Sequence, residues 1–97
     1  MHLRSGFGDE YKRRHDNLWP ELRDLLKTSS ISEYSIFLDE TTYTLFGFMH
    51  VDDNYAMEKL PEHPVMKKWW AYMRDIMDTN PDNSPVSIPL EEVFYLP

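Results

Sequence analysis

A chain of 97 residues with no cysteine has to close one hydrophobic core and hold it without a disulfide. Every functional residue must then sit on, or beside, the elements that build that core, and no second domain fits. The same absence removes thiolate metal sites and a cysteine nucleophile. Three Trp, six Tyr and five Phe are generous for this length, and aromatics offer a ligand both apolar faces and polar handles. Seventeen acidic against ten basic residues give a formal charge of -7. That sign repels phosphate backbones and anionic lipid, which excludes nucleic acid and membrane surfaces as expected partners. The amino terminus lacks a signal-peptide pattern, and no run of about 18 apolar residues suggests a span, so residence in the cytoplasm is expected.

The periodicity predicts an α+β chain. Met1 to Arg4 reads as the end of a strand, with Gly6 and Gly8 breaking the backbone and Asp9-Glu10 placing negative charge at a helix start. Tyr11, His15, Leu18, Leu22 and Leu25 or Leu26 mark one helix face, which Pro20 kinks or restarts near Asn17. Ile31 to Asp39 alternates as a strand, with Tyr34, Ile36 and Leu38 on one face and Ser35, Phe37 and Asp39 on the other. Thr44 to Val51 supplies the second arm of a hairpin. Helical spacing resumes over 54 to 60, is interrupted by Pro61 and Pro64, and returns from Val65 to Met77. Glu91 to Leu96 is expected to be a final strand. The resulting order, β-α-β-β-α-β, is that of a ferredoxin-like sheet with helices on one face. Strands apolar on both faces need cover for the second face, and a second copy of the chain is the simplest one, so a homodimer is predicted.

Two constellations could carry chemistry. Tyr11 and His15 stand one helical turn apart and can converge on one ligand, and histidine is the side chain best suited to proton transfer near neutral pH. Plain packing of a half-buried histidine, with Arg13, Arg14 and Asp16 on the solvent side, is the commoner arrangement for such a pattern. Trp69 and Trp70 point about 100° apart on a helix, so one can fill the core while the other meets a ligand. Sugars present C-H faces that lie well on indoles, whose N-H can donate to a hydroxyl; core filling is again the commoner use. Tyr34 is expected to turn its ring inward, where its hydroxyl needs a partner or a ligand. Asp39 and Asp52 read as turn residues, and His2, His50 and His63 have no metal-ligand spacing. No phosphate-binding glycine loop or serine-nucleophile elbow occurs.

Several longer stretches go together: Glu10-Tyr11-Lys12-Arg13-Arg14-His15, Leu18-Trp19-Pro20-Glu21-Leu22 and Tyr34-Ser35-Ile36-Phe37-Leu38-Asp39. With them come Lys68-Trp69-Trp70-Ala71-Tyr72-Met73, Asn80-Pro81-Asp82-Asn83-Ser84-Pro85-Val86-Ser87 and Glu91-Glu92-Val93-Phe94-Tyr95-Leu96. Together they closely resemble the L-rhamnose mutarotase family over nearly the whole chain. The resemblance implies a dimeric α+β barrel of ferredoxin-like subunits that interconverts the α and β anomers of L-rhamnose without metal or organic cofactor. It matches His15 to the family's proton donor and Tyr11, Tyr34, Trp69 and Trp70 to its substrate-contacting positions. Members usually carry several more residues before the position of Met1, so the single domain over 1–97 is expected to have a shortened first strand. Met66 stands where a cysteine is common. Two other readings are a small cofactor-free or haem-using monooxygenase on the same barrel, and a non-catalytic sugar-binding module.

Overall fold

Pro20 divides the amino-terminal helical segment in two. The computed structural model, which describes all 97 residues, has α1 at Gly8–Asp16 and α2 at Pro20–Thr28. Asn17 stops α1, its backbone N-H and its side-chain amide both reaching back to the Arg13 carbonyl. Trp19 is extended, as a residue before proline prefers, and Pro20 takes the first helical position, where its missing N-H costs nothing. Antiparallel strands β1 (Ile31–Asp39) and β2 (Thr44–Val51) follow as a hairpin. Asp39 closes the turn by accepting from the Thr41 N-H at 2.9 Å. Next come α3 (Asn54–Glu58), a 3-10 turn (Leu60–Glu62) holding Pro61, and α4 (Pro64–Met73). Asp53 and His63 cap α3 and α4 by accepting from Tyr55 N-H and Val65 N-H.

The hairpin is not regular. Ser32 pairs with His50 and Ser35 with Phe48, so Glu33 and Tyr34 together oppose the single residue Met49. This bulge, with Glu33 at φ 49°, shifts the alternation by one residue. Ile31 before it and Tyr34, Ile36 and Leu38 after it therefore all face the cavity, Tyr34 at its open side with 40% of its surface exposed, although their spacing is of mixed parity. Phe37 and Phe46 pair on the opposite face, beside Phe48, and all three are exposed. That face has no cover within the chain.

Three expectations are corrected. The first strand survives only as isolated bridges: His2 faces Thr44 and Leu3 faces Met77, with Leu45 N-H donating to Met1 O at 2.7 Å. Leu3 is nevertheless fully buried, because this short segment lies between the hairpin and the chain leaving α4. Glu91 to Leu96 is not a strand; it has no backbone partner here and its apolar side chains are exposed. Arg14, placed by pattern on the solvent side, is instead buried. The architecture is a small α+β fold of two antiparallel strands and four α-helices. Its core joins Leu3, Leu22, Leu45, Met66, Trp69, Met73, Ile76 and Met77. No helix is long and apolar enough to cross a membrane.

Candidate active site

Between the inner face of the hairpin and helices α1, α2 and α4 lies a cavity of about 920 Å³. Tyr11, His15, Tyr34, Trp69 and Trp70 all line it. Each arrives from a different constraint. Tyr11 and His15 share a face of α1 and stack at 4.2 Å between ring centres. The bulge aims Tyr34 inward across from them, and its ring passes over Gly47: a Cβ there would touch the Tyr34 hydroxyl at 3.9 Å. Trp69 is buried in the core and meets His15 edge-on at 5.3 Å. Trp70, one position further round α4, is half-buried on the cavity wall. The division of labour between adjacent indoles follows from the helix pitch.

The polar atoms of this group are free. His15 Nδ1 lies 2.9 Å from the Tyr11 carbonyl, an acceptor, so Nδ1 carries hydrogen and donates, leaving Nε2 without a protein partner. The Tyr11 hydroxyl and the Trp69 and Trp70 N-H groups have no hydrogen-bond partner either. Yet no polar side-chain atom is both buried and unpaired. These four atoms therefore open onto accessible space, and the cavity is the space their residues line. An apolar, aromatic chamber with a few unpaired donors and acceptors suits a small neutral polyol better than an ion.

Electrostatics match that reading. Burial pulls the His15 imidazole below its ordinary value, only partly opposed by its bond to Tyr11 and by Asp16. Burial pushes the Tyr11 phenol well up, helped by the neighbouring Tyr34 phenol, and raises Tyr34 too. Both phenols stay protonated across the neutral range. The other histidines are occupied at the surface: His2 with Asp78 at 3.1 Å, His50 with Asp52 at 2.8 Å, and His63 as a helix cap.

Sequence reasoning missed the support for this group. Trp19 meets Trp69 edge-on at 5.1 Å, and Tyr72 packs on both indoles. Arg14 lies over the Tyr72 ring at 4.4 Å and donates to Glu10, to the Tyr72 carbonyl and to Asp75. It thereby ties the helix bearing His15 to the end of the helix bearing Trp69. The available signal was the i, i+4 spacing of Glu10 and Arg14 and the i, i+3 spacing of Trp69 and Tyr72.

Comparison with known proteins shows the family. Residues 1–96 match the family model described as L-rhamnose mutarotase. The chain is 58% identical to an L-rhamnose mutarotase of Brucella anthropi, over all of this chain and 92% of that protein. It is 59% identical to one from Rhizobium johnstonii with the same coverage. Its fold superposes on the crystal structure of an L-rhamnose mutarotase from Formosa agariphila with a TM-score of 0.93 at 57% identity, covering 100% of this chain and 93% of that one.

Proposed function

The chain belongs to the L-rhamnose mutarotase family and is an enzyme that interconverts the α and β anomers of L-rhamnose, and we propose that it does so by acid-base ring opening with His15 as proton donor. The observation that carries this reading is the free Nε2 of His15 beside unpaired phenol and indole groups in one cavity. Mutarotation needs one proton delivered to the ring oxygen and one removed from the anomeric hydroxyl. Protonated His15 donates Nε2-H to the ring oxygen, the bond from C1 to that oxygen breaks, and the anomeric oxygen loses its proton to give the open aldehyde. Rotation about C1-C2 presents the other face. Reclosure returns the first proton to His15 and the second to the new anomeric hydroxyl.

The acceptor in this scheme is a water held by Tyr11 or Tyr34, since phenols whose ionisation is pushed up are poor free bases but good anchors. Trp69 and Trp70 take the C-H face and methyl group of the sugar, and Tyr11 and Tyr34 its hydroxyls. A low imidazole pKa makes His15 a readier donor once protonated. Family membership disfavours both a monooxygenase and a non-catalytic sugar-binding module. The finer architecture proposed is the dimeric α+β barrel of ferredoxin-like subunits, supported by the uncovered Phe37, Phe46 and Phe48 face.

Exchange NMR on L-rhamnose tests the mechanism. The protein should speed anomer exchange above the buffer rate, and His15→Ala should lose roughly 10² to 10⁴ of that acceleration. Undiminished exchange in the variant removes His15 from the reaction. L-Fucose and L-lyxose in the same assay read the pocket's stereochemical preference.

A further inference from the structure

His15 borders more than the main cavity. Beside it lies a smaller recess of about 80 Å³, walled in part by Ile36, Met66, Met73, Met77 and Pro85. All three methionines are buried in the core, so close packing fixes this apolar floor. Tyr11, Tyr34, Trp69 and Trp70 also line the recess, in the roles already given to them.

Pro85 reaches the recess because the chain is clasped on either side of it. Asn80 N-H donates to the Ser84 carbonyl at 2.7 Å and the Asn80 side-chain amide to Ser84 Oγ at 3.0 Å, while Asp82 accepts from Ser84 N-H at 3.0 Å. On the far side, Val86 N-H returns to the Asp78 carbonyl at 3.2 Å. The Asn-Pro-Asp-Asn-Ser-Pro stretch thus presents a half-buried pyrrolidine ring, which has no N-H to offer a ligand.

Which part of the sugar meets this recess follows from covalent structure. In a pyranose the ring oxygen is bonded to C5, and C5 carries C6. A pose that sets the ring oxygen against Nε2 of His15 therefore brings C6 alongside the same imidazole. In L-rhamnose C6 is a methyl group, and in L-mannose, otherwise identical, it is a hydroxymethyl group. The recess has room for either, being two to three times the roughly 30 Å³ that one water takes up in the liquid. Its chemistry suits only one. Thioether sulfur is a weak acceptor and the aliphatic walls offer none, so a C6 hydroxyl would give up its water for nothing of equal strength.

We propose that this recess takes the C6 methyl group, and that Met66 and Pro85 are specificity-determining residues that favour a 6-deoxy sugar over its 6-hydroxy counterpart. The inference rests on His15 as donor to the ring oxygen and adds to it what reads the neighbouring carbon. An apolar pocket rejects an added hydroxyl by up to about 10², and a missing methyl group by roughly tenfold or more. L-Mannose should therefore be about 10- to 100-fold poorer than L-rhamnose in kcat/KM, and L-lyxose, which has hydrogen in place of the C6 group, roughly tenfold poorer.

Exchange NMR with the three sugars tests this on the full chain. The wild type is compared with His15→Ala, Pro85→Ala and Met66→Gln. Pro85→Ala opens the recess to water, and Met66→Gln places an amide where the thioether was, so each should cut the preference for L-rhamnose over L-mannose by roughly threefold or more. The loop bearing Pro85 is at the surface, so that variant decides the matter even if Met66→Gln, altered in the core, does not fold. Equal kcat/KM for L-rhamnose and L-mannose in the wild type, or a preference unchanged in Pro85→Ala, overturns the recess and leaves His15 in place. L-Rhamnose exchange undiminished in His15→Ala overturns both.

Discussion

Arg14 of α1 grips Asp75, just past α4, with two hydrogen bonds at 2.9 and 3.2 Å, although the two residues lie 61 apart in sequence. The guanidinium is almost fully buried while the carboxylate is largely exposed. Removing either partner therefore has unequal consequences. Arg14→Met also loses the bonds to Glu10 and to the Tyr72 carbonyl. At about 1.5–3 kcal/mol for a charged hydrogen bond, partly offset by methionine packing, a loss of about 2–3 kcal/mol is expected. For a domain this size that lowers Tm by roughly 10 to 20 °C. Asp75→Asn leaves Arg14 paired with Glu10 and should cost less than half as much. Thermal unfolding followed by circular dichroism checks the order. Equal losses would mean that the exposed carboxylate, rather than the buried guanidinium, anchors the contact.

The same pair sets an acid limit on stability. The hydrogen bond from Arg14 holds the Asp75 carboxyl below its usual value, and bonds from Arg13 and Arg14 do the same for Glu10. A carboxyl whose pKa is lower folded than unfolded binds fewer protons in the native state. Its contribution is complete above about pH 4 and is lost as pH falls through the folded value. Denaturant midpoints measured between pH 6 and pH 3 should therefore fall for the wild type. They should fall less steeply for Asp75→Asn, whose group no longer titrates; parallel curves would sink the assignment.

His15 predicts a pH dependence of the reaction itself. Burial lowers its pKa from the ordinary 6.5 or so. The groups facing it are the Tyr11 and Tyr34 phenols, protonated throughout, the Trp69 indole and the nearby carboxylate of Asp16. At pH 7.5 only a small fraction of His15 carries the proton that the proposed step donates. The enzyme-dependent part of the exchange rate should thus rise as pH is lowered from 8, and level off only below 6.5. A rate that falls over that interval would show neutral His15 to be the working form, acting as base.

The adjacent indoles separate stability from binding. Trp69 is 6% exposed and in contact with His15, Trp19 and Tyr72, so Trp69→Ala should cost about 3–5 kcal/mol of stability. Trp70 is only half-buried. Trp70→Ala should leave the fold within about 1–2 kcal/mol and raise KM for L-rhamnose roughly tenfold, with kcat little changed if the contact is equal in ground and transition states. Saturation curves from exchange NMR, read beside melting curves, decide it. A Trp70 variant with unaltered KM would take that indole out of the binding site.

How far the sequence reaches is shown by which signals are local. Helix breaks at Asn17 and Pro20, the hairpin, and the shared α1 face of Tyr11 and His15 rest on neighbours within four residues, and the chain displays them openly. Arg14 was misplaced because its partners at 72 and 75 lie across the fold, and a charged residue amid charges reads as surface. Glu91 to Leu96 has the composition of a strand, yet it pairs with no edge of its own chain. Pattern and resemblance mark the five cavity residues only one by one. Their meeting in one chamber depends on the bulge at Glu33 and Tyr34, which has no glycine to announce it.

That bulge gives the most direct test of how the sheet builds the site. Glu33 sits at φ 49°, where a side chain is strained and glycine is not. Glu33→Gly should therefore keep the register and change stability by no more than about 1 kcal/mol, gaining from relieved strain and losing to chain entropy. Deleting Glu33 removes the bulge itself. With Tyr34 alone opposite Met49, regular alternation returns, and Ile31, Tyr34, Ile36 and Leu38 now stand at every second position and keep one face. Both variants should therefore hold Tyr34 on the cavity side and retain most of the anomer exchange, read beside melting curves. Collapse of exchange in the deletion with melting unchanged would show that the kink of the bulge, and not the shared face alone, positions Tyr34.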